Sequence, residues 1–153
     1  MVRKRLEELV LVLKNSLVDA EAVAKSSRKA AQEVTGGVLT SYSAAGDIEH
    51  ATNAANLNEE KVAKMKLFLN ELEKSLELPV PEKIEPVSFF WVKFSDGRLG
   101  EFFLVDNPVY IEGFNIISKD SPIGKVVLGK KIGESFEYGV DGVRTSGVIS
   151  GIE

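Results

Sequence analysis

Residues 41–56, SYSAAGDIEHATNAAN, hold two carboxylates, Asp47 and Glu49, and the only histidine of the chain, His50. Their neighbours are small or polar, and two long helix-forming stretches flank them. A bland assignment of these groups is available. Asp is a good helix N-cap, and an acid in the first turn is favoured by the helix dipole, so a second helix that begins at Asp47 would account for both carboxylates. A lone histidine on such a turn is ordinarily solvated, and with no cysteine and no second histidine it has no partner for an imidazole or thiolate metal site. The other stretch with specific local chemistry is Asp120-Ser121-Pro122. Ser121 as N-cap and Pro122 at the first helical position open a short helix, and Gly129 closes it.

The elements that position these residues follow from the pattern of the chain. Leu6, Val10, Leu13, Leu17, Ala20, Ala24, Ser27, Ala31 and Val34 recur at alternating spacings of three and four, the mark of a helix with one buried seam. Ile48, Ala51, Ala55, Asn58, Val62, Met65, Leu69, Leu72 and Leu76 repeat it in a second helix. A break of about a dozen residues predicts antiparallel packing, which sets leucines against leucines at the base and alanines against alanines at a slim tip. The first helix is expected to end at Thr35, Gly36 and Gly37. The loop of residues 35–46 carries Val38, Leu39 and Tyr42, which either bind a partner surface or fold back on the hairpin.

Composition changes near residue 79. Of 8 Phe, 1 Trp and 3 Tyr only Tyr42 and Phe68 come earlier, of 13 glycines only Gly36, Gly37 and Gly46 do, and all 5 prolines lie at or after Pro79. Two modules are therefore expected: a helical hairpin over residues 1–78 and a strand-rich domain over 87–153, joined by a proline-stiffened linker over 79–86. SFFWVKF (88–94) and LGEFFLV (99–105) flank a turn at Asp96-Gly97, and SFEYG (135–139) and VRTSGVISGI (143–152) flank one at Asp141-Gly142. The second module reads as a small antiparallel sheet of four or five strands with one short helix, and the whole chain as α+β. Phe89, Trp91, Phe102, Phe136 and Tyr138 are expected to fill its core.

Several classes are disfavoured. No stretch approaches the roughly 20 apolar residues of a membrane span, and Glu7 and Glu8 interrupt the apolar N-terminal run, so a membrane role is not expected and the protein reads as cytoplasmic and unprocessed. The formal net charge of -4 argues against binding free DNA or RNA, which requires a basic surface. Absence of cysteine excludes thiol chemistry.

DNPVYIEGFNIISKDSPIGKVVLGKKIGESF (106–136) resembles the C-terminal domain of the bacterial Gre transcription elongation factors, in which Ile-Ser-x-Asp-Ser-Pro-[Leu/Ile]-Gly, a short helix and Gly-Lys-Lys-x-Gly-[Asp/Glu] follow in order. Chain length, the helical hairpin, the proline-marked joint and the SAAGD start of the second helix are also similar. The resemblance implies an FKBP-like C-terminal domain and an accessory factor, itself no enzyme, whose partner is bacterial RNA polymerase. It implies that the hairpin, as a coiled coil, enters the secondary channel and that Asp120, Ser121 and Pro122 anchor the C-terminal domain at its mouth. It further implies that the protein acts as a monomer, meets the RNA 3′ end only inside the polymerase, and stimulates hydrolysis of backtracked RNA. Tip acids would do so by holding a second Mg²⁺ shared with the polymerase active centre and not bound by the free protein; two-metal hydrolysis needs that ion to orient the attacking water. The corresponding residues are Asp47 and Glu49. The family pattern is Asp-x-x-Glu, and here the third position after Asp47 is His50, with Glu49 one residue short. A binding-only regulator that fills the channel without aiding cleavage therefore stays open beside the cleavage-stimulating factor. A prolyl isomerase on the FKBP-like module is set aside, because the module is short and shows no recognisable pocket motif.

Overall fold

The computed structural model describes residues 3–35 and 42–153. The expected glycine stop at Gly36-Gly37, with Val38 and Leu39, lies outside the described residues. In order the elements are α1 (Lys4–Thr35), α2 (Tyr42–Leu76), β1 (Ser88–Phe94), β2 (Leu99–Val105), β3 (Ile116–Ser118), α3 (Pro122–Val127), β4 (Ser135–Val140) and β5 (Val143–Ile152). The fold is α+β, two long helices followed by one five-stranded sheet with a short helix. The chain divides into two compact units, Leu13–Leu67 and the combination of Met1–Val12 with Phe68–Glu153.

In the unit Leu13–Leu67 most of the seam read from spacing is buried, with Leu13, Leu17, Ala24, Ala31, Ala55 and Met65 all inside, whereas Val34, the last residue assigned to it on α1, is exposed. Polar pairs fix its register. Nζ of Lys66 lies 3.6 Å from Glu21, and Arg28 bonds both carboxylate oxygens of Glu59 at 2.9 and 2.8 Å, so partners descend on one helix as they ascend on the other, as antiparallel packing requires. Asn58 donates to Ser27 at 2.6 Å inside the seam itself. One expectation is corrected. Helix α2 starts at Tyr42, five residues before Asp47, so Asp47 is an internal helical residue and not a cap. Alanine is the best helix former, and Ala44 and Ala45 carry the helix back past Gly46, whose cost of about 1 kcal/mol is too small to stop it.

In the other unit the sheet order is β3-β2-β1-β5-β4. The hairpins β1–β2 and β4–β5 turn where Asp96-Gly97 and Asp141-Gly142 predict, and Gly97 and Gly142 both have positive φ. Strand β3, only three residues long, pairs in parallel with β2 and was not foreseen. One core gathers Ile84, Phe90, Val92, Leu104, Ile123, Val127, Phe136, Ile149 and Ile152, with Phe102 and Tyr138 packed against it. Phe89 is buried too, edge-on to the half-buried Trp91. Ile84 belongs to the segment read as a linker, yet it is fully buried; its N–H donates to Lys130 at 2.8 Å and its carbonyl accepts from Gly129 at 2.7 Å. A single apolar residue among charges, in Glu82-Lys83-Ile84-Glu85, is enough to stitch the segment onto the sheet domain.

Candidate functional site

The two groups of candidate residues fall in different units, and each has its own geometry. Asp47, Glu49 and His50 are all exposed on α2. Each residue of an α-helix turns the side-chain direction by about 100°. Relative to Asp47, Glu49 therefore points about 200° away, and His50, at about 300°, returns to within about 60°. Glu49 and Asp47 could converge only on a distorted turn, and α2 runs without interruption from Tyr42 to Leu76. One face thus presents a carboxylate beside an imidazole. Magnesium prefers hard oxygen ligands, so this donor set does not fit a resident Mg²⁺. Among the described residues no group of three His, Asp or Glu side chains could hold a metal ion.

The Asp120-Ser121-Pro122 turn is built more tightly. Ser121 is the N-cap of α3: its Oγ accepts from the Gly124 N–H at 3.1 Å and donates to the Ser118 carbonyl at 2.6 Å. The Asp120 N–H donates to Ser118 Oγ at 3.1 Å, and the Ser121 N–H to the Ser118 carbonyl at 3.0 Å. Gly124 completes the ring, since a Cβ there would lie 2.1 Å from the Ser118 oxygen. Beside the turn Lys119 bonds Asp106 at 2.9 Å, and this hydrogen bond raises the lysine pKa. Of the three predicted residues, Ser121 is spent on the turn and is half-buried, whereas Asp120 and Pro122 face solvent. Ser118 and Gly124 belong to the Ile-Ser-x-Asp-Ser-Pro-[Leu/Ile]-Gly stretch, but sequence reasoning gave them no role of their own. The signal was present as Ser-x-x-Ser-x-x-Gly, a spacing of three that lets one carbonyl gather two donors.

No protein-family model matches the chain, and no curated protein matches it. Solved structures do resemble it. Gfh1 of Thermus aquaticus is 17% identical over 92% of this chain and 90% of its own, with a TM-score of 0.43. GreA factor homolog 1 (Gfh1) of Thermus thermophilus is 16% identical over 99% and 94%, with a TM-score of 0.41. The prokaryotic transcription elongation factor GreA/GreB from Nitrosomonas europaea is 22% identical over 55% and 77%, with a TM-score of 0.40. Identities are low, and function must be read from the chain's own residues. Among the described residues no helix is long and apolar enough to cross a membrane.

Proposed function

We propose that this protein is a Gre-like accessory factor of bacterial RNA polymerase that occupies the secondary channel and regulates the enzyme from there. The observation that carries the reading is the Asp120–Gly124 turn. The stretch that matches the Gre motif in type and order folds into a ring closed by Ser118, Ser121 and Gly124, leaving Asp120 and Pro122 exposed on a backbone that the ring holds. A backbone already ordered at a capped helix start suits a docking contact, because little backbone entropy remains to be lost on binding.

Channel occupancy without stimulated cleavage is favoured by α2. Asp47 has no second acid on its face, and the imidazole of His50 stands where the Gre pattern has a carboxylate. The cleavage-stimulating reading retains one specific support: Asp47 is exposed and, being internal to the helix, is not needed as a cap. In both readings the chemistry belongs to the polymerase, and RNA is met only within it. Titration of labelled protein with polymerase core enzyme, followed by anisotropy, tests docking. Saturable binding that weakens in Asp120→Lys supports the proposal; absence of binding removes it.

A further inference from the structure

Two hairpin turns of the sheet share one dipeptide and differ in what holds it. Of the six aspartates only Asp96 and Asp141 precede a glycine. The backbone nitrogen that follows an aspartate can close a five-membered ring on the side-chain carboxyl, and glycine, with no Cβ, lets it approach. Two conditions set how fast the ring forms. The nitrogen must give up its proton, so an N–H already bonded to a carbonyl is a poor nucleophile. The carboxyl must be protonated, because the oxygen of a carboxylate does not leave.

At Asp96-Gly97 both conditions are opposed. The Gly97 N–H donates to the Phe94 carbonyl at 3.0 Å. The Asp96 carboxylate accepts from the Arg98 N–H at 3.0 Å and from Arg98 Nε at 2.6 Å, and these bonds, the backbone one first, hold its pKa below the ordinary value. Asp120 precedes the small Ser121, but there too the nitrogen is tied, its N–H donating to the Ser118 carbonyl at 3.0 Å. Asp19 and Asp47 lie inside α1 and α2, where helical hydrogen bonds engage the following nitrogen. Asp141 and Gly142 differ from all of these. With φ of 51° and 79° they form a two-residue type I′ turn between the paired Val140 and Val143, and both are exposed. Among the described residues no hydrogen bond or ion pair engages the Asp141 carboxylate or the Gly142 N–H.

We infer that Asp141 is a site of spontaneous isoaspartate formation and, once converted, an acceptor for methyl transfer from S-adenosylmethionine. The Gly142 nitrogen bonds to Asp141 Cγ, and the amide proton leaves together with the carboxyl OH as one water. A second water then opens the ring. Attack at the former side-chain carbonyl restores aspartate. Attack at the α-carbonyl leaves the chain running through Cβ and Cγ and frees the α-carboxylate, with no net change in mass and no oxidant or reductant. That carboxylate, which an ordinary internal residue does not have, is the group a methyltransferase esterifies, releasing S-adenosylhomocysteine. The extra backbone carbon enters where Val140 and Val143 are 45% and 66% exposed and hold no core position, so the sheet keeps its fold around the altered turn.

The test ages the full chain at mildly acidic pH, treats it with a protein isoaspartyl methyltransferase and tritiated S-adenosylmethionine, and locates the labelled peptides by mass spectrometry. Freeing a nitrogen or a carboxylate from its hydrogen bonds slows ring closure by about tenfold, so residue 141 should carry at least about ten times the label of residue 96. Asp141→Glu would need a six-membered ring and should lose the label. Asp141→Asn keeps a residue that tolerates the left-handed turn and forms the same ring with loss of ammonia. It should therefore gain label faster than the parent and faster than Asp96→Asn. No label after ageing, equal label at residues 96 and 141, undiminished label in Asp141→Glu, or an Asp96→Asn variant that matches Asp141→Asn would each overturn the inference.

Discussion

The Arg3 guanidinium donates to the Val87 carbonyl at 2.7 Å, tying the residue before α1 to the one before β1 across 84 positions of sequence. The same group donates to the Ser75 carbonyl at 2.7 Å and the Glu153 carbonyl at 3.4 Å, so one buried cation gathers the ends of α2, the joint and β5. Burial lowers its pKa, and the nearby charges of Glu153 and Glu85 oppose that shift. Next to it Arg5 lies over the rings of Phe89 and Phe114 at 5.3 and 5.1 Å and pairs with Glu8 and Glu101.

Removing that guanidinium should be among the most damaging single changes in this unit. Arg3→Met strands buried carbonyls and should cost about 2–4 kcal/mol by urea denaturation. Arg3→Lys should recover little, since one ammonium cannot reproduce a planar fork aimed at separate carbonyls. A fragment of residues 81–153 loses Arg3 and Arg5 together. It should still show β-rich circular dichroism but unfold at lower urea than the full chain; equal midpoints would show that the helix ends contribute nothing to this unit.

Gly124→Ala should wreck the turn that Ser121→Ala only loosens. Losing the N-cap oxygen costs about 1 kcal/mol. A methyl group aimed at the Ser118 carbonyl, 2.1 Å away, must push backbone aside and should cost clearly more, in the range of about 2–3 kcal/mol typical of overpacking. Comparable midpoints for the two variants would count against the ring as drawn.

At the other candidate site the signs reverse. Since Asp47 is internal to α2, Asp47→Ala should be neutral or stabilising by a few tenths of a kcal/mol, whereas loss of a cap would cost about 1 kcal/mol. Gly46→Ala has nothing within 4 Å of the new Cβ and should stabilise the helix by about 1 kcal/mol. Helicity and thermal melting of the two variants check both expectations together.

The Arg28–Glu59 pair should leave a mark on acid unfolding. Hydrogen bonding from Arg28 lowers the Glu59 pKa below its ordinary 4.5. A carboxylate with a depressed folded-state pKa contributes stability that is present above the unfolded value and is lost as pH falls through the folded one. Glu59→Gln should therefore melt below the parent at neutral pH, with the difference closing only on the acid side of the ordinary carboxylate range. The pair is exposed, so the difference is small and should shrink in high salt. A difference that persists unchanged at acid pH would contradict it.

Much of this was legible because the signals are local. Period-two strands around Asp96-Gly97 and Asp141-Gly142 need nothing beyond turn chemistry, and Ser121-Pro122 announces its helix by cap and fixed φ alone. What escaped depended on distant partners. Ile116–Ser118 becomes a strand only because β2 offers an edge, Ile84 is core only because Lys130 and Gly129 receive its backbone, and nothing in the sequence shows that Arg3 meets Val87. At Asp47 two local preferences competed, and the helix propensity of Ala44 and Ala45 prevailed over the capping tendency of the acid. Exposure of Asp47 could not be separated from capping until that competition was resolved.

Channel occupancy is tested most directly in a stalled, backtracked elongation complex of bacterial RNA polymerase, by measuring RNA fragment release stimulated by a cleavage-active Gre factor as this protein is titrated in. The account predicts that the protein alone releases no fragment at any Mg²⁺ concentration and suppresses the stimulated release to a saturable minimum, with Asp120→Lys shifting the curve to higher concentration. Fragment release by the protein alone, abolished in Asp47→Asn, would establish the cleavage-stimulating reading instead, and undiminished release at saturating protein would show that it does not enter the channel.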